Sequence, residues 1–188
     1  LFRSQGHDSI TQQVVLADDV KHKEKLVIAL LAKEQAPRSM VFCNTRKGCQ
    51  ELGTALKAHK LRVDYIHGEL SQSDRKQVMN RFRSGQIGIL VATDVAARGL
   101  DIEGITLVIN FNVAQSGDDH VHRIGRTGRA GQVGKAITLV SSNEWNQMSS
   151  IERYLKLRFE HRKVPGLQAS YRGPVKVKKS GKAAGSKK

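Results

Sequence analysis

Cysteine is scarce in this sequence, and long apolar runs are missing from it. The two cysteines, Cys43 and Cys49, have no companion pair, which argues against a zinc site or a disulfide framework and predicts two reduced, buried thiols. No stretch approaches the roughly 18 apolar residues that a membrane-spanning helix needs, and no secretory leader opens the chain. These absences predict a soluble protein without a membrane partner, in the cytoplasm, or in the nucleus or nucleolus if the source is eukaryotic.

Acidic residues are also few. The chain has 17 Asp and Glu against 32 Lys and Arg, so its formal net charge is +15. The commonest reason for such an excess in a soluble protein is a polyanionic partner, with nucleic acid first, although charge can also serve solubility alone. What is present, 188 residues of which 39% are hydrophobic, is enough for one globular domain with an appended segment.

Short runs with strand character alternate with segments of helical periodicity, which is typical of an α/β fold with a parallel sheet. Helices are predicted at residues 22–34 and 45–57, after Ser71 and Asp74 (a capping box), and from about Asn143, the last burying Ile151, Tyr154, Leu155 and Phe159. Strands are predicted at residues 11–16, 40–43, 62–66, 88–92, 105–110 and 136–140.

Polar residues follow several of these predicted strands. Asn44 and Thr45, His67 and Gly68, and Thr93 and Asp94 come directly after three of them. Ligands of open parallel sheets bind outside the carboxyl ends of the strands, where helix N-termini and hydroxyls can hold phosphates. The pattern therefore indicates a phosphate-binding edge, while each Thr or Asn could equally be a helix cap.

Residues 122–129 (HRIGRTGR) place three arginines on a short segment punctuated by glycine. Arg126 and Arg129 are three residues apart, so on a last helical turn or in a tight loop they can present paired donors to phosphate oxygens. A solvated basic turn is the alternative from composition alone.

Four segments, taken in order, resemble motifs IV, IVa, V and VI of the DEAD-box ATP-dependent RNA helicases of superfamily 2. They are residues 41–46 (VFCNTR), 72–75 (QSDR), 92–101 (ATDVAARGLD) and 122–129. The resemblance covers about residues 10–160. It implies a RecA-like parallel sheet with helices on both faces, in a single lobe, the second of two lobes that close on ATP and RNA.

The resemblance implies roles at matching positions. Arg126 and Arg129 match the arginines that reach the γ-phosphate, and Asp101 and Gly99 match positions at the ATP ribose. His122 matches a residue that links the cleft to the other lobe, or it is an interface histidine. Arg98 is predicted to form an ion pair within the lobe, and Asp94 to organise Thr93, Arg98 or the start of a helix. The positions around RNA are Asn44, Thr45, Gly68, Gln72, Arg75, Thr93 and Asp94, with Gln72 as a possible brace for Arg75.

Two residues depart from the family pattern. His120 stands where an aromatic residue is usual, and Ala114 where a proline is usual, which concerns local packing and loop rigidity ahead of Arg126. The phosphate loop GxxxxGK[ST] and the Asp-Glu-Ala-Asp run do not occur. We therefore expect a fragment that is inactive alone, with the ligands of the Mg²⁺ that accompanies ATP in a missing N-terminal RecA-like lobe.

The predicted organisation is a linker remnant at residues 1–9, a helicase C-terminal domain at 10–163 and a basic tail at 164–188. The tail is rich in Gly, Ser, Ala and Lys and has no acid, so it is predicted to be disordered and to add salt-sensitive affinity for structured RNA. Two alternatives remain: a non-catalytic RNA-binding module, and another two-lobed motor such as a DNA helicase or translocase.

Overall fold

A seven-stranded parallel sheet forms the centre of the computed structural model, which describes residues 9–185. The strand order is β3-β4-β2-β5-β6-β1-β7, and every pairing is parallel. The strands are β1 (Ile10–Leu16), β2 (Ser39–Cys43), β3 (Val63–Ile66), β4 (Ile89–Thr93), β5 (Leu107–Asn110), β6 (Gly134–Val140) and β7 (Glu160–His161).

Helices cover both faces of the sheet, which confirms the predicted fold class. They are α1 (Val20–Glu34), α2 (Arg46–Ala58), α3 (Gln72–Arg83), α4 (Asp94–Ala97), α5 (Gly117–Ile124) and α6 (Trp145–Leu155). Side chains of β2 alternate between the two layers, since Val41 packs with α1 and α2 whereas Met40 and Phe42 pack with α3 and α4. Helix α6 packs on the same side as α3, over Val14 and Val140.

The six predicted strands agree with the structure to within two residues at each end. The predicted strand at 105–110 starts later, at Leu107, because Ile105 forms an isolated bridge with Thr127. Strand β7 was not predicted, since two exposed residues carry no periodic signal.

Tyr154 was predicted to be buried and is 56% exposed. Its ring lies over Gly117, where a Cβ atom would come within 2.3 Å of the ring.

Five helices begin at the carboxyl edge of the sheet with a side-chain cap. Asp19, Thr45, Ser71, Thr93 and Ser116 each accept a backbone N–H of the first turn. Half of the predicted capping box is confirmed, because Ser71 Oγ accepts from Asp74 N at 3.0 Å, whereas the Asp74 carboxylate accepts from the Ser71 hydroxyl at 2.8 Å instead of from its backbone N–H. The caps leave other first-turn N–H groups pointing outward at one edge.

A buried ion pair joins α1 to the loops at this edge. Lys23 Nζ donates to Glu144 and, at 2.8 Å, to the Phe111 carbonyl, while Glu144 Oε2 accepts from Val113 N at 2.8 Å. Burial lowers the pKa of Lys23. Burial opposes ionisation of Glu144, but Lys23 and the Val113 N–H hold the pKa of its carboxyl below the ordinary value. The pair fixes the segment between β5 and α5.

The segment after β7 is ordered where the structure describes it, so the expectation of disorder is wrong for residues 164–185. Val164 and Ala169 are buried, and Leu167 packs against the core beneath α1. The Asp18 carboxylate accepts the N–H groups of Ser170 and Tyr171 at 2.9 and 2.8 Å. The buried apolar residues of this lysine-rich segment therefore fix its position, although its composition is typical of disorder. The domain boundaries stay a prediction, and residues 1–8 and 186–188 lie outside the described part.

Among residues 9–185, no helix has the length and apolar character needed to cross a bilayer.

Both cysteines are buried, as predicted. Burial raises the pKa of both thiols, and it raises the pKa of Cys49 to about 12. Because only the thiolate reacts, both thiols should remain protonated and inert at pH 8 in the folded chain. We expect Ellman's reagent to label neither cysteine in the native protein and both in denaturant. Rapid labelling under native conditions would contradict their burial.

Candidate functional site

Arg123 of α5 is the centre of the carboxyl edge. It is 1% exposed, and its guanidinium lies 5.4 Å from the centre of the Phe42 ring. Nε and Nη2 donate to the two carboxylate oxygens of Asp94, both at 2.7 Å. Nη1 donates to the Asn112 carbonyl at 2.7 Å, and Nη2 also donates to Asn44 Oδ1 at 2.6 Å. One buried cation therefore joins the segments that follow β2, β4 and β5.

The amide groups around Arg123 complete this network. The Asn112 side chain accepts Asn44 N at 3.0 Å, and Asn44 Nδ2 donates to the Val113 carbonyl at 3.0 Å. Asn44 thus holds the loop before α2 against the loop before α5. Of the three predicted roles of Asp94, organising Thr93 or Arg98 is wrong for its carboxylate, which accepts from Arg123, whereas Asp94 does stand at a helix start, as the first residue of α4.

Arg98 pairs instead with Asp119, at 3.2 Å, so its predicted ion pair is confirmed. His122 is exposed on α5 and lines a narrow cleft with Asp94, Arg98 and Arg126. His120 is buried, stacks on Phe159 with ring centroids 5.4 Å apart, and contacts Gln12 Oε1 through Nε2 at 2.8 Å. The imidazole therefore takes the place of an aromatic ring in the packing.

The arginine loop, residues 125–131, leaves the end of α5 and leads towards β6. Arg126 is half-buried and donates to the Leu100 carbonyl at 2.8 Å, and Arg129 is exposed and donates to the Gly125 carbonyl at 2.6 Å. Burial, together with the charge of Arg129, lowers the pKa of Arg126. Within residues 9–185, neither guanidinium lies within 4.0 Å of a carboxylate. The loop holds two cations without a local counterion.

Buried contacts set the shape of the arginine loop. Thr127 is 2% exposed, and its hydroxyl donates to the Ile105 carbonyl at 2.7 Å. Gly128 has φ +66°, and a Cβ atom there would lie 2.6 Å from Ile10 Cγ1. A Cβ atom at Gly134 would lie 2.5 Å from the Thr127 hydroxyl. Glycine is required at both positions, and the loop is held between β1 and β6.

The turn after α4 lies beside the arginine loop because Arg126 binds the Leu100 carbonyl. Gly99 has φ +72°, and nothing lies within 4 Å of the position of a Cβ atom. Asp101 is exposed. This hydrogen bond places the turn that carries Gly99 and Asp101 next to Arg126, and a nucleotide site shared by these residues stays a prediction.

The remaining predicted residues lie along the ends of β2, β3 and β4. The hydroxyls of Thr45 and Thr93 are helix caps, to Gly48 N at 3.0 Å and Ala96 N at 3.4 Å. Arg75 is half-buried and donates to the Ala96 carbonyl at 3.3 Å, so α4 holds it. Gly68 and Gln72 are exposed at the start of the same edge. An incoming phosphate could meet backbone N–H groups here and also the threonine hydroxyls, because a hydroxyl that accepts an N–H keeps its own proton to donate.

Residues 22–131 match the helicase conserved C-terminal domain. This chain belongs to that helicase family.

Among the relatives of this helicase domain is the DEAD-box ATP-dependent RNA helicase CshA of Geobacillus kaustophilus (strain HTA426). It is 43% identical over 166 residues, which are 88% of this chain and 36% of CshA. ATP-dependent RNA helicase SrmB of Escherichia coli (strain K12) is 39% identical over 165 residues, 88% of this chain and 37% of SrmB. The chain thus spans about a third of the length of these curated relatives.

Solved structures confirm the RecA-like lobe. The structure of E. coli DEAD-box protein SrmB bound to regulator of ribonuclease activity A matches with a TM-score of 0.85 at 38% identity, over 89% of this chain and 98% of that one. The C-terminal domain of the DEAD-box protein Dbp5 matches with a TM-score of 0.74 at 29% identity, over 82% and 90%. The resemblance to DEAD-box helicases is confirmed.

Sequence reasoning missed two residues of this helicase site, Arg123 and Asn112. Arg123 was counted among three arginines without a role of its own. A signal was present, since His120, Arg123 and Ile124 share one face of α5 at helical spacing and all three are buried. A buried arginine on such a face needs an acidic partner. Nothing in the sequence around Asn112 identifies its contacts.

Replacing Asp94 with Asn should destabilise the helicase domain strongly. The substitution leaves the buried Arg123 charge with neutral acceptors only, and breaking such a pair costs about 3 kcal/mol. Urea unfolding measures the change in the free energy of unfolding. Asp101→Asn is the control, because Asp101 is exposed, and should stay within about 0.5 kcal/mol of the parent. Equal stability of the two variants would show that the pair does not hold the edge together.

Proposed function

We propose that this chain is the C-terminal lobe of an ATP-dependent RNA helicase, supplying two arginines for ATP hydrolysis and half of the surface that binds the RNA backbone. The observation that carries this proposal is the arginine loop, which holds Arg126 and Arg129 without carboxylate partners in the described structure. Cations kept in place without counterions are preorganised for an anion from outside the lobe.

The donor set fits a nucleoside triphosphate. Two guanidiniums suit phosphate oxygens, and the exposed Asp101 carboxylate, one residue from the Leu100 carbonyl that Arg126 binds, can accept hydrogen bonds from ribose hydroxyls. The open space at Gly99 permits close approach of a ligand to the backbone. ATP supplies the phosphoryl group that is transferred to water. We propose that the loop that binds the ATP phosphates and the ligands of the accompanying Mg²⁺ come from an N-terminal lobe.

Arg129 would act as the principal arginine finger and Arg126 as its half-buried partner. Positive charge delivered from a second lobe stabilises the negative charge that develops on the transferred phosphoryl group, and only after the lobes have closed. Arg129 is exposed and bonded only to the carbonyl of its own loop, so it can change partner at small cost. His122, on the same cleft, would meet the other lobe.

RNA would lie across the starts of α2, α3 and α4. Helix N-termini and exposed backbone N–H groups bind phosphates without reading bases, which suits unwinding of varied duplexes. The residues along this proposed path would be Asn44, Thr45, Gly68, Gln72, Arg75 and Thr93. Asp94 contributes indirectly, by holding Arg123, which connects this edge to α5 and the arginine loop.

Arg129→Ala in the two-lobed protein tests the finger. We expect kcat to fall by about 10³-fold or more with a small change in KM, because the contact forms mainly in the transition state. RNA-stimulated ATPase kinetics measure both constants. Arg62→Ala is the control, since the exposed Arg62 side chain donates to the Gly85 carbonyl at the opposite edge of the sheet, and it should retain normal turnover. Near-normal kcat in Arg129→Ala would remove the finger from the mechanism.

The chain alone should bind RNA weakly and hydrolyse no ATP, because half of the site would be absent. A phosphate-release assay at saturating ATP and RNA checks this expectation. Activity in the separate lobe would contradict the division of labour between lobes.

In the two-lobed protein, stronger stimulation of ATP hydrolysis by RNA than by DNA of the same sequence is expected, because only RNA offers 2′-hydroxyls. Equal stimulation would favour a DNA motor.

A further inference from the structure

The segment between β5 and α5 contains no helix or strand, yet it determines where α5 begins. This entry loop, residues 111–116, ends at Ser116, whose hydroxyl caps α5 by accepting Asp119 N at 3.1 Å. Arg123 lies in the last turn of α5, and the arginine loop follows that helix directly. The direction of α5, and with it the position of the two proposed fingers, therefore depends on how the entry loop is held.

Gln147 of α6 holds the middle of the entry loop with one amide group. Its Nε2 donates to the Ala114 carbonyl at 3.1 Å and to the Gln115 carbonyl at 2.8 Å. Carbonyl oxygens only accept hydrogen bonds, so the amide nitrogen with its two hydrogens must face both of them. Successive carbonyls of an extended chain point to opposite sides, so two of them gathered on one nitrogen define a bend. The backbone does bend at Gln115 and Ser116.

The Ala114 carbonyl depends on Gln147 for its hydrogen bond. Ala114 is 0% exposed, so this oxygen is shielded from water. Within residues 9–185, no other group donates to the carbonyl of Ala114 or of Gln115. A buried carbonyl without a donor is unfavourable, so the entry loop would have to move in order to regain one. The shape of the bend is therefore set by a side chain of α6.

Two neighbours of Gln147 hold the two ends of the same stretch. Glu144, directly before α6, accepts Val113 N at 2.8 Å, and the Tyr154 hydroxyl donates to Asp118 in the first turn of α5. Glu144 also binds Lys23, and the Tyr154 ring packs on Gly117, so a change at either residue disturbs other contacts. In the described part of the chain, the hydrogen bonds of the Gln147 side chain go only to the entry loop.

We propose that Gln147 is a positioning residue for ATP hydrolysis, which acts through the entry loop and α5 on Arg129. The inference rests on the proposed function, in which Arg129 meets the γ-phosphate. A guanidinium stabilises the transferred phosphoryl group only at the correct distance, and a displacement of about 1 Å can lower the rate by about 10²-fold. Gln147 lies outside the four segments that resemble helicase motifs. It touches neither of the loop arginines, and its effect is on where α5 begins.

Gln147→Met in the two-lobed protein tests this role, because methionine keeps the unbranched shape of glutamine and has no donor. We expect kcat of RNA-stimulated ATP hydrolysis to fall by about 10-fold, with a change in KM for ATP of less than about 2-fold. Gln86→Met is the matched control, since Gln86 is exposed before β4 at the opposite edge of the sheet, and it should keep the parent kcat. A parent-like kcat in Gln147→Met would overturn the proposal.

Gln147→Lys again offers N–H donors to the two carbonyls, so it should recover at least about half of the parent kcat. Equal losses in Gln147→Met and Gln147→Lys would show that the donor is not what matters, which also overturns the proposal. Melting temperatures of all variants establish that each is folded at the assay temperature. A lower melting temperature of Gln147→Met with unchanged kcat would show a purely structural role and would exclude positioning.

A double-mutant cycle with Arg129→Ala tests whether Gln147 acts through the finger. Once Arg129 is replaced, Gln147→Met should lower kcat further by less than about 2-fold, because the group that it positions is gone. The same loss in both backgrounds would place the action of Gln147 elsewhere and refute the proposal. Arg129→Ala alone tests the proposed function, so failure of the finger and failure of Gln147 give different patterns of rates.

Discussion

The Arg123 and Asp94 pair is the contact on which the arrangement of this domain depends. A guanidinium buried to this degree would be very costly without an anion, and its fork geometry demands a carboxylate in the same plane. Asp94 can reach the guanidinium only if α4 begins directly after β4. Asn44 and Asn112 can reach it only if β2 and β5 end at the same level. The electrostatic requirement of one side chain therefore aligns three loops and α5, and through α5 it sets where the arginine loop begins.

This arrangement connects the proposed RNA path and the proposed nucleotide contact without a flexible intermediate. Asn44 and Asp94 belong to the loops that would face RNA, and Arg126 is three residues beyond Arg123 in the same chain segment. Arg98 and Asp119 add a second link between α4 and α5. Packing at the interior is dense, so these elements move together or separate in discrete steps rather than deforming gradually.

The layers of the fold could be predicted from the sequence because its signals are local. Strands such as β2 and β6 are short β-rich runs between helical segments, and Ser71 and Thr45 mark helix starts by their own chemistry. The family motifs grouped the arginine loop with Gly99 and Asp101, and the bond from Arg126 to the Leu100 carbonyl brings the two segments into contact, while their role at a nucleotide stays a prediction. The partners of Asp94 could not be predicted, because Arg123 lies 29 positions away and the choice among Thr93, Arg98 and Arg123 depends on packing. Order after β7 was missed because composition averages over residues, whereas the position of this segment depends on single buried residues such as Val164 and Ala169.

Ser9 and Ile10, at the entry to β1, form part of the floor beneath the arginine loop. Ser9 Oγ donates to the Gly128 carbonyl at 3.3 Å, Gly134 N donates to the Ser9 carbonyl at 3.0 Å, and the Ile10 side chain fills the space that a Cβ atom of Gly128 would need. These contacts join the first strand to the arginine loop. Two of the contacts reach Gly128 directly and the third holds the start of β1 to β6, so we expect that displacing the chain at Ser9 would also displace the loop that carries the two guanidiniums.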